Sequence, residues 1–388
     1  MKNIIHKSYQ TMKIIYNIAG TYNSGGMERV LANKANWLVE QGHEVVIVTT
    51  DQRGQKPFFS LDKRIRCYDL GVDYEENNGK SFVNKLIHYP FKQWKHKRKL
   101  SALLQSLKAD VVISMFCNDA SFIPSIKDGS KKILEIHFSR FKRLQYGRKG
   151  LWKLADEYRS KLDAKVAARF DRFVVLTDED KEYWEGLKNM CVIGNARSFV
   201  LQKPAELDNK KVIAVGRYSY QKGFDRLISA WHRVCQQKND WTLHLVGDGE
   251  LREELQKQIE ELNLGDKVIL GKAVTDMPTV YQEASILAMT SHYEGLPMVL
   301  LEAQAAGLPI VSFECKCGPK DVIEDGVDGF LVKEGDIDAL AEKLLLLMDD
   351  EMLRKKMGGV AFIRSERYAE DRIMQQWTDL FDDVLKEK

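Results

Sequence analysis

Short apolar runs alternate with stretches of helical period along nearly the whole chain, and the alternation occurs twice. In the first half the runs fall at residues 13–19, 44–49, 110–115, 131–136 and 173–176, with helical patterns between them, one over 26–41. In the second half they fall at 212–215, 243–246, 268–270, 286–289, 310–313 and 329–332. Continuous apolar runs belong to strands buried on both faces, and strands separated by helices pair in parallel. The expected fold class is α/β, with parallel sheets covered by helices. Between the halves, NARSFVLQKPAELDNKK at 195–211 is polar, contains proline and has no period, as an interdomain linker does. Two domains are expected, 1–197 and 198–369, followed by an amphipathic helix from about 370. A chain of 388 residues, 44% of them apolar, can fill two such cores.

Open α/β sheets bind ligands beyond the carboxyl ends of their strands, so the turns leaving the strands are where chemistry is sought. The run ending at Met289 leads through Glu294 to Pro297, whose fixed φ and missing N–H suit a first helical turn. Glu302 follows on an almost wholly apolar helix, and a buried carboxylate needs a partner. Two acids bracketing such a turn suit the hydroxyls of a sugar or a ribose; a surface acid plus a structural ion pair is the plainer alternative. A second turn lies in KVIAVGRYSYQKGFDRLISAW, where Arg217 and Lys222 flank a helix start. A cation opposes the helix dipole there unless an anion shares the site. A helix N-terminus with both cations is a diphosphate site, although a solvated basic turn has the same spelling. Together the two turns describe a pocket for a nucleotide-sugar.

GRYSYQKG and EGLPMVLLE resemble the G-R-x4-K-G and E-x7-E donor signature of retaining glycosyltransferase family four. SGGMERVLANKANWLVEQGHEVVIVTT, GDGELREEL and GPKDVIEDGVDGFLV resemble that family too, so the likeness runs from about residue 13 to the C-terminus. It implies the GT-B architecture: two facing Rossmann-like domains, the nucleotide-sugar held mainly by the second, and a C-terminal helix, about 370–388, crossing back to the first. It implies that Glu294 touches the sugar and Glu302 the ribose. In EGLPM, Pro297 has no N–H, so Gly295, Leu296 and Met298 are the available backbone donors. The resemblance also implies retention of configuration by front-face attack, with the donor phosphate taking the acceptor proton. The likeness is to bacterial enzymes of surface-polysaccharide and lipid-linked oligosaccharide synthesis. A hexose or N-acetylhexosamine on uridine diphosphate is the donor expected from it.

His137 ends the run at 131–136 and so falls at the carboxyl edge of the first sheet, facing the cleft if the domains oppose. By resemblance, a histidine at that strand end lies near the donor sugar. His137 and Glu294 are the catalytic candidates. Gly25 and Gly26 allow close backbone approach to a diphosphate or an acceptor, or mark only a helix-start turn. Asp178-Glu-Asp180 and Asp336-Ile-Asp338 have a metal-site spelling, but each opens a helix, where acids act as caps. Neither a metal nor a cofactor beyond the nucleotide-sugar co-substrate is expected. The loop GTYNSGG lacks the dinucleotide fingerprint, and no carboxylate pair is placed for two-acid glycoside hydrolysis. The six cysteines are scattered, and Cys315-x-Cys317 has no second pair for zinc, so reduced cysteines in the cytoplasm are expected.

Charge divides unevenly. Residues 1–198 carry 35 Lys and Arg against 22 Asp and Glu; residues 199–388 carry 24 against 34. The excess gathers in HYPFKQWKHKRK at 88–99 and FSRFKRLQYGRKGLWKL at 138–154, both mixed with aromatics. Such segments suit anionic lipid headgroups, which implies a cytoplasmic protein docked on the inner face of the membrane; a solvated basic helix is the alternative. Nucleic acid is not expected, because no motif for it accompanies the charge. Residues 1–12 read as an extension, with Met12 an alternative start, and no run reaches the roughly 18 apolar residues of a span. The expected acceptor is a glycan on a polyprenyl diphosphate. The alternatives are a transferase acting on a soluble acceptor, a catalytically silent nucleotide-sugar-binding protein, and, more distantly, a phosphorylase or epimerase.

Overall fold

A computed structural model describes residues 11–77, 82–142 and 150–387. The expected extension lies outside them over residues 1–10, as does 143–149 of the second basic segment. The first sheet holds β1 (Lys13–Ile18), β2 (Glu44–Thr49), β3 (Arg66–Asp69), β4 (Val111–Ser114), β5 (Lys131–Glu135), β6 (Arg172–Val175) and β7 (Met190–Val192). All pair in parallel, in the order β3-β2-β1-β4-β5-β6-β7. The second holds β8 (Lys211–Val215), β9 (Thr242–Val246), β10 (Val268–Leu270), β11 (Ile286–Met289), β12 (Ile310–Phe313) and β13 (Gly329–Val332), also parallel, in the order β10-β9-β8-β11-β12-β13. Each order reverses once, between β1 and β4 and between β8 and β11. The loops leaving β1, β8 and β11 therefore flank the two crevices where such sheets take ligands.

The helices that bear on the site are α1 (Gly26–Glu40), α2 (Phe82–Leu107), α3 (Leu151–Ala167), α4 (Asp178–Tyr183), α5 (Phe224–Cys235), α6 (Met298–Ala306) and α7 (Glu370–Lys386). The α5 stripe of Phe224, Leu227, Ile228 and Trp231 is buried against the second sheet with Val212, Leu243 and Phe313. Last in the chain, α7 crosses back to the first domain. There Ile373, Trp377 and Phe381 join Leu31 and Leu38 of α1 over Ile14, Tyr16 and Ile113.

The chain thus passes between the domains twice, and the two passages are tied. Arg197 N donates to the Tyr368 carbonyl at 2.8 Å, and its guanidinium reaches Ser365 Oγ at 2.7 Å and Glu366 Oε1 at 2.5 Å. Sequence reading missed β3, because its Arg66, Cys67 and Asp69 are exposed on the sheet's edge and leave no apolar signature.

Candidate functional site

The second-domain wall is built from the loops after β8 and β11. After β8 the chain passes Gly216 and Arg217, makes a 3-10 turn over Tyr220–Lys222, and enters α5 through Gly223 at φ +58°. A Cβ on Gly223 would come 2.4 Å from the Thr290 carbonyl, so both the left-handed turn and the close approach require glycine. Lys222 therefore precedes the helix instead of starting it. Its Nζ pairs with Glu294 Oε1 at 2.6 Å, and Gln221 Nε2 donates to the Tyr293 carbonyl at 3.1 Å and to Glu294 Oε2 at 3.4 Å. Arg217 is exposed and acts electrostatically on Glu28 of the other domain.

After β11, Gly295 meets the first domain. A Cβ there would stand 2.9 Å from the His137 carbonyl, so a side chain at this position would push the domains apart. Pro297 takes the N-cap place (φ −70°, ψ 116°) and α6 begins at Met298; the expectation that proline opens the helix is off by one residue. The missing N–H is harmless at either position. Glu302 is 4% exposed and partnered: Ser198 Oγ donates to Oε1 at 2.7 Å, Tyr281 OH to Oε2 at 2.9 Å, and Arg29 of α1 stands 3.6 Å from Oε1. Burial raises its carboxyl above the ordinary value, against the pull of Arg29 and the two hydroxyls.

The opposite wall comes from the first domain. Gly25 and Gly26 lead into α1, and a Cβ on Gly26 would make only ordinary contact with Met298 at 3.7 Å. Protein packing does not demand that glycine. Glu28, in the first turn of α1, has its carboxyl raised by burial, partly offset by its own amide, Arg217, Asn23 and His137. His137 follows β5, and its Nε2 is 3.0 Å from Glu135 Oε1, which Lys34 Nζ also reaches at 2.5 Å. Burial would raise Glu135, but the Lys34 ammonium and then the His137 ring beside it outweigh burial and hold the carboxyl at about 2.

The structure brings all ten candidates, Gly25, Gly26, His137, Arg217, Lys222, Glu294, Gly295, Leu296, Met298 and Glu302, onto one cleft of about 700 Å³ between the domains. Glu28, Arg29, Phe58 and Phe59 line it as well and were not found by sequence reading. A first-turn glutamate beside Gly-Gly was a usable signal; the two phenylalanines sit in an aperiodic loop that gave none. Among the described residues no three His, Cys, Asp or Glu side chains gather as metal ligands, and the cysteines are free. Both Asp-x-Asp spellings sit at helix starts. Asp336 accepts from Ala339 N at 3.0 Å as a cap. Asp180 N donates to the Thr177 cap at 3.0 Å, and the Asp180 carboxylate accepts from Arg140 N at 2.8 Å and Trp184 Nε1 at 3.1 Å.

The basic segment at 88–99 forms the middle of α2, and its cations divide. Lys95 Nζ donates to the Gly71 carbonyl at 2.7 Å, Lys99 to the Leu70 carbonyl, and Lys92 to the Asp73 carbonyl, so these three bind the helix to its own domain. His88, Tyr89, Phe91, Trp94, Lys97 and Arg98 are exposed, with Trp94 stacked on Phe91 and the Arg98 guanidinium 5.5 Å from its ring. On α3, Leu154 and Tyr158 are exposed too. Among the described residues no helix is long and apolar enough to cross a membrane.

Comparison with known proteins agrees with this geometry. Residues 24–196 match the family described as Glycosyltransferase Family 4, and residues 198–362 match Glycosyl transferases group 1. An uncharacterized glycosyltransferase of Haemophilus influenzae is 30% identical over 94% of this chain and 98% of its own. A Campylobacter jejuni enzyme is 30% identical over 96% of this chain and 99% of its own; it is named as an α-1,4-N-acetyl-D-galactosaminyltransferase acting on a diNAcBac-PP-undecaprenol-linked glycan. Among solved structures, TarM of Staphylococcus aureus in complex with UDP superimposes with a TM-score of 0.78 over 96% of this chain and all of that one, at 18% identity. Sucrose-phosphate synthase of Thermosynechococcus elongatus reaches 0.82 over 97% of this chain and all of that one, at 17% identity. Those two likenesses bear on the fold alone, which is that of the two-domain GT-B glycosyltransferases. By its relatives and its matched domains, the chain belongs to the family-four, group-1 glycosyltransferases.

Proposed function

We propose that this protein is a retaining transferase that moves a hexose or N-acetylhexosamine from a nucleoside-diphosphate sugar, UDP-linked, to a glycan carried on a polyprenyl diphosphate in surface-polysaccharide synthesis. It works at the cytoplasmic face of the membrane without a metal. The observation that carries the reading is the cleft itself. Arg217 and Lys222 on one wall face the start of α1 on the other, with Glu294 and Glu302 on the same cleft. Two cations and the α1 amides can hold a diphosphate as the bond to the sugar breaks, and preorganised charge of that kind commonly lowers such barriers more than any other single effect. The acceptor oxygen bonds to the anomeric carbon, the carbon–phosphate-oxygen bond breaks, and the acceptor proton leaves on the departing diphosphate. Glu294 orients the sugar hydroxyls, and Glu302 turns from Ser198 and Tyr281 towards the ribose. The Campylobacter jejuni relative, named for an undecaprenol-diphosphate glycan, supports the acceptor class. UDP in the structural relative supports the donor.

The test is transfer from a panel of UDP- and GDP-sugars to a polyprenyl-diphosphate glycan and to a soluble glycan, with and without chelator, and with linkage analysis of the product. The reading expects a UDP-sugar, the lipid acceptor, an α-linkage from an α-donor, and no loss to chelator. Binding of UDP-sugars with no transfer and no slow release of UDP would instead indicate a silent sensor.

A further inference from the structure

Glu135 and Lys34 make a buried ion pair beside His137 that the reaction described above does not use. They are on different elements. Glu135 ends β5, and His137 lies two residues on, so both project to one face of the strand's path. Lys34 comes from the buried side of α1. Its Nζ lies 2.5 and 2.6 Å from the two Glu135 oxygens, and His137 Nε2 is 3.0 Å from Oε1. The Trp377 ring of α7 lies over the ammonium at 3.9 Å and that of Tyr16 at 5.3 Å.

We infer that Glu135, balanced by Lys34, is a positioning residue that fixes the tautomer and orientation of His137; this rests on the placement of His137 in the catalytic cleft proposed above. Ion pairs buried this deeply often contribute little net stability, because desolvation offsets attraction, so stability alone is a weak reason for this one. A neutral imidazole carries one proton, and the ring nitrogen that faces an ionised carboxylate must be the one that holds it. Nε2 is therefore the N–H, and Nδ1 is left as the acceptor for a substrate hydroxyl. Nε2 is 3.0 Å from Oε1 but is not aligned for a hydrogen bond and has no other partner among the described residues; catalytic hydrogen bonds are often misaligned in this way until substrate tightens them. Lys34 gives the arrangement its second property. A carboxylate alone would orient the ring but would add negative charge beside a departing diphosphate. Paired with the ammonium it orients the ring at no net charge, and Trp377 and Tyr16 cover that ammonium with ring faces, which favour a cation.

The experiment uses full-length protein with 15N-labelled histidine, the His137 signals being assigned by their loss in His137→Asn. Two variants are compared with the wild type: Glu135→Gln, and Glu135→Gln with Lys34→Met, which leaves no unpaired buried ion and keeps the question answerable if the single variant misfolds. The wild type is expected to show the Nε2–H pattern, and both folded variants a mixture of tautomers. Transfer should fall about 10- to 100-fold in kcat, as it does when the partners that orient metal-bound histidines are lost, with UDP affinity within about twofold of wild type. An Nδ1–H wild type, an unchanged 15N pattern, unchanged kcat in the folded double variant, or a parallel loss of UDP affinity would each overturn the assignment. His137→Asn with wild-type turnover would instead refute the placement of His137 in the reaction, and is scored separately.

Discussion

Lys222 and Glu294 are paired, so loss of either residue could act through the other, and a cycle of substitutions separates the two explanations. Lys222 Nζ stands 2.6 Å from Glu294 Oε1, with side chains 18% and 7% exposed. If Lys222 only holds Glu294, then Lys222→Ala, Glu294→Gln and the double variant lose the same amount. If it also neutralises the leaving diphosphate, its loss adds to that of Glu294. Removing one donor from a developing oxyanion costs about 2–4 kcal/mol in the barrier, so Lys222→Ala should lower kcat about 30- to 1,000-fold. A hydrogen bond to a charged group contributes about 1.5–3 kcal/mol, so removing Lys222 in the Glu294→Gln background should weaken UDP binding at least about tenfold. The fold should survive, because Lys222 is only partly buried and Glu294 can draw water into the space it leaves. Calorimetric titration of UDP into the four proteins of the cycle, beside their transfer rates, measures the coupling directly. Equal UDP affinity in Glu294→Gln with and without Lys222 would refute the diphosphate role and leave the lysine as a prop for the acid.

Glu302→Gln should weaken binding of free UDP about tenfold with little change in sugar preference, since the carboxylate is assigned to the ribose; unchanged affinity by the same titration would contradict that. Asp119, buried in the loop after β4, has its carboxyl pushed up to about 7 by burial, against the Ser114 hydroxyl and nearby amides. Its folded value lies above the ordinary 3.8, so its contribution to stability is complete below about pH 4 and is lost as pH rises to about 7. Asp119→Asn should therefore gain on the wild type across that window by up to roughly 4 kcal/mol, at about 1.4 kcal/mol per pH unit, and denaturant melts showing a pH-independent difference would disprove it. Binding to anionic liposomes should fall steeply with salt and with Trp94→Ala, Lys97→Ser and Arg98→Ser together, each cation contributing roughly 1 kcal/mol. Lys95 and Lys99 are poor choices for that test because they hold α2 to residues 70 and 71. Liposome sedimentation that ignores both salt and the triple variant would argue for a solvated helix.

Much of the site was legible because it depends on local chemistry. Strands announce themselves by apolar runs, and the turns leaving them carry the acids and cations that ligands need, so Arg217, Lys222, Glu294 and Glu302 could be found without a structure. What the sequence could not supply was partnership. Glu302 in an apolar helix demanded a partner, yet nothing local pointed to Ser198 in the linker or Arg29 in the other domain. Glu135 interrupts an apolar strand and Lys34 interrupts a helix face, but which of 35 basic residues in that half meets the acid is decided only when α1 lies on the sheet. Likewise the basic run on α2 reads as one charged surface. Helical geometry divides it into lysines that clamp the domain and a face of Phe91, Trp94 and Arg98 that does not.

The return of α7 also sets an order of assembly. Translation completes every strand of the first sheet before residue 193, yet one side of that sheet is closed by Ile373, Trp377 and Phe381, which follow the whole second sheet in the chain. Until those residues emerge, Ile14, Tyr16 and the Lys34–Glu135 pair lack their cover, while the second sheet and its helices, between Lys211 and Arg364, can already finish their own core. The half that is made first is thus the half that matures last. A nascent chain stalled short of residue 370 would hold a finished second domain beside a first domain with an open apolar face, an intermediate exposed to chaperones and to aggregation.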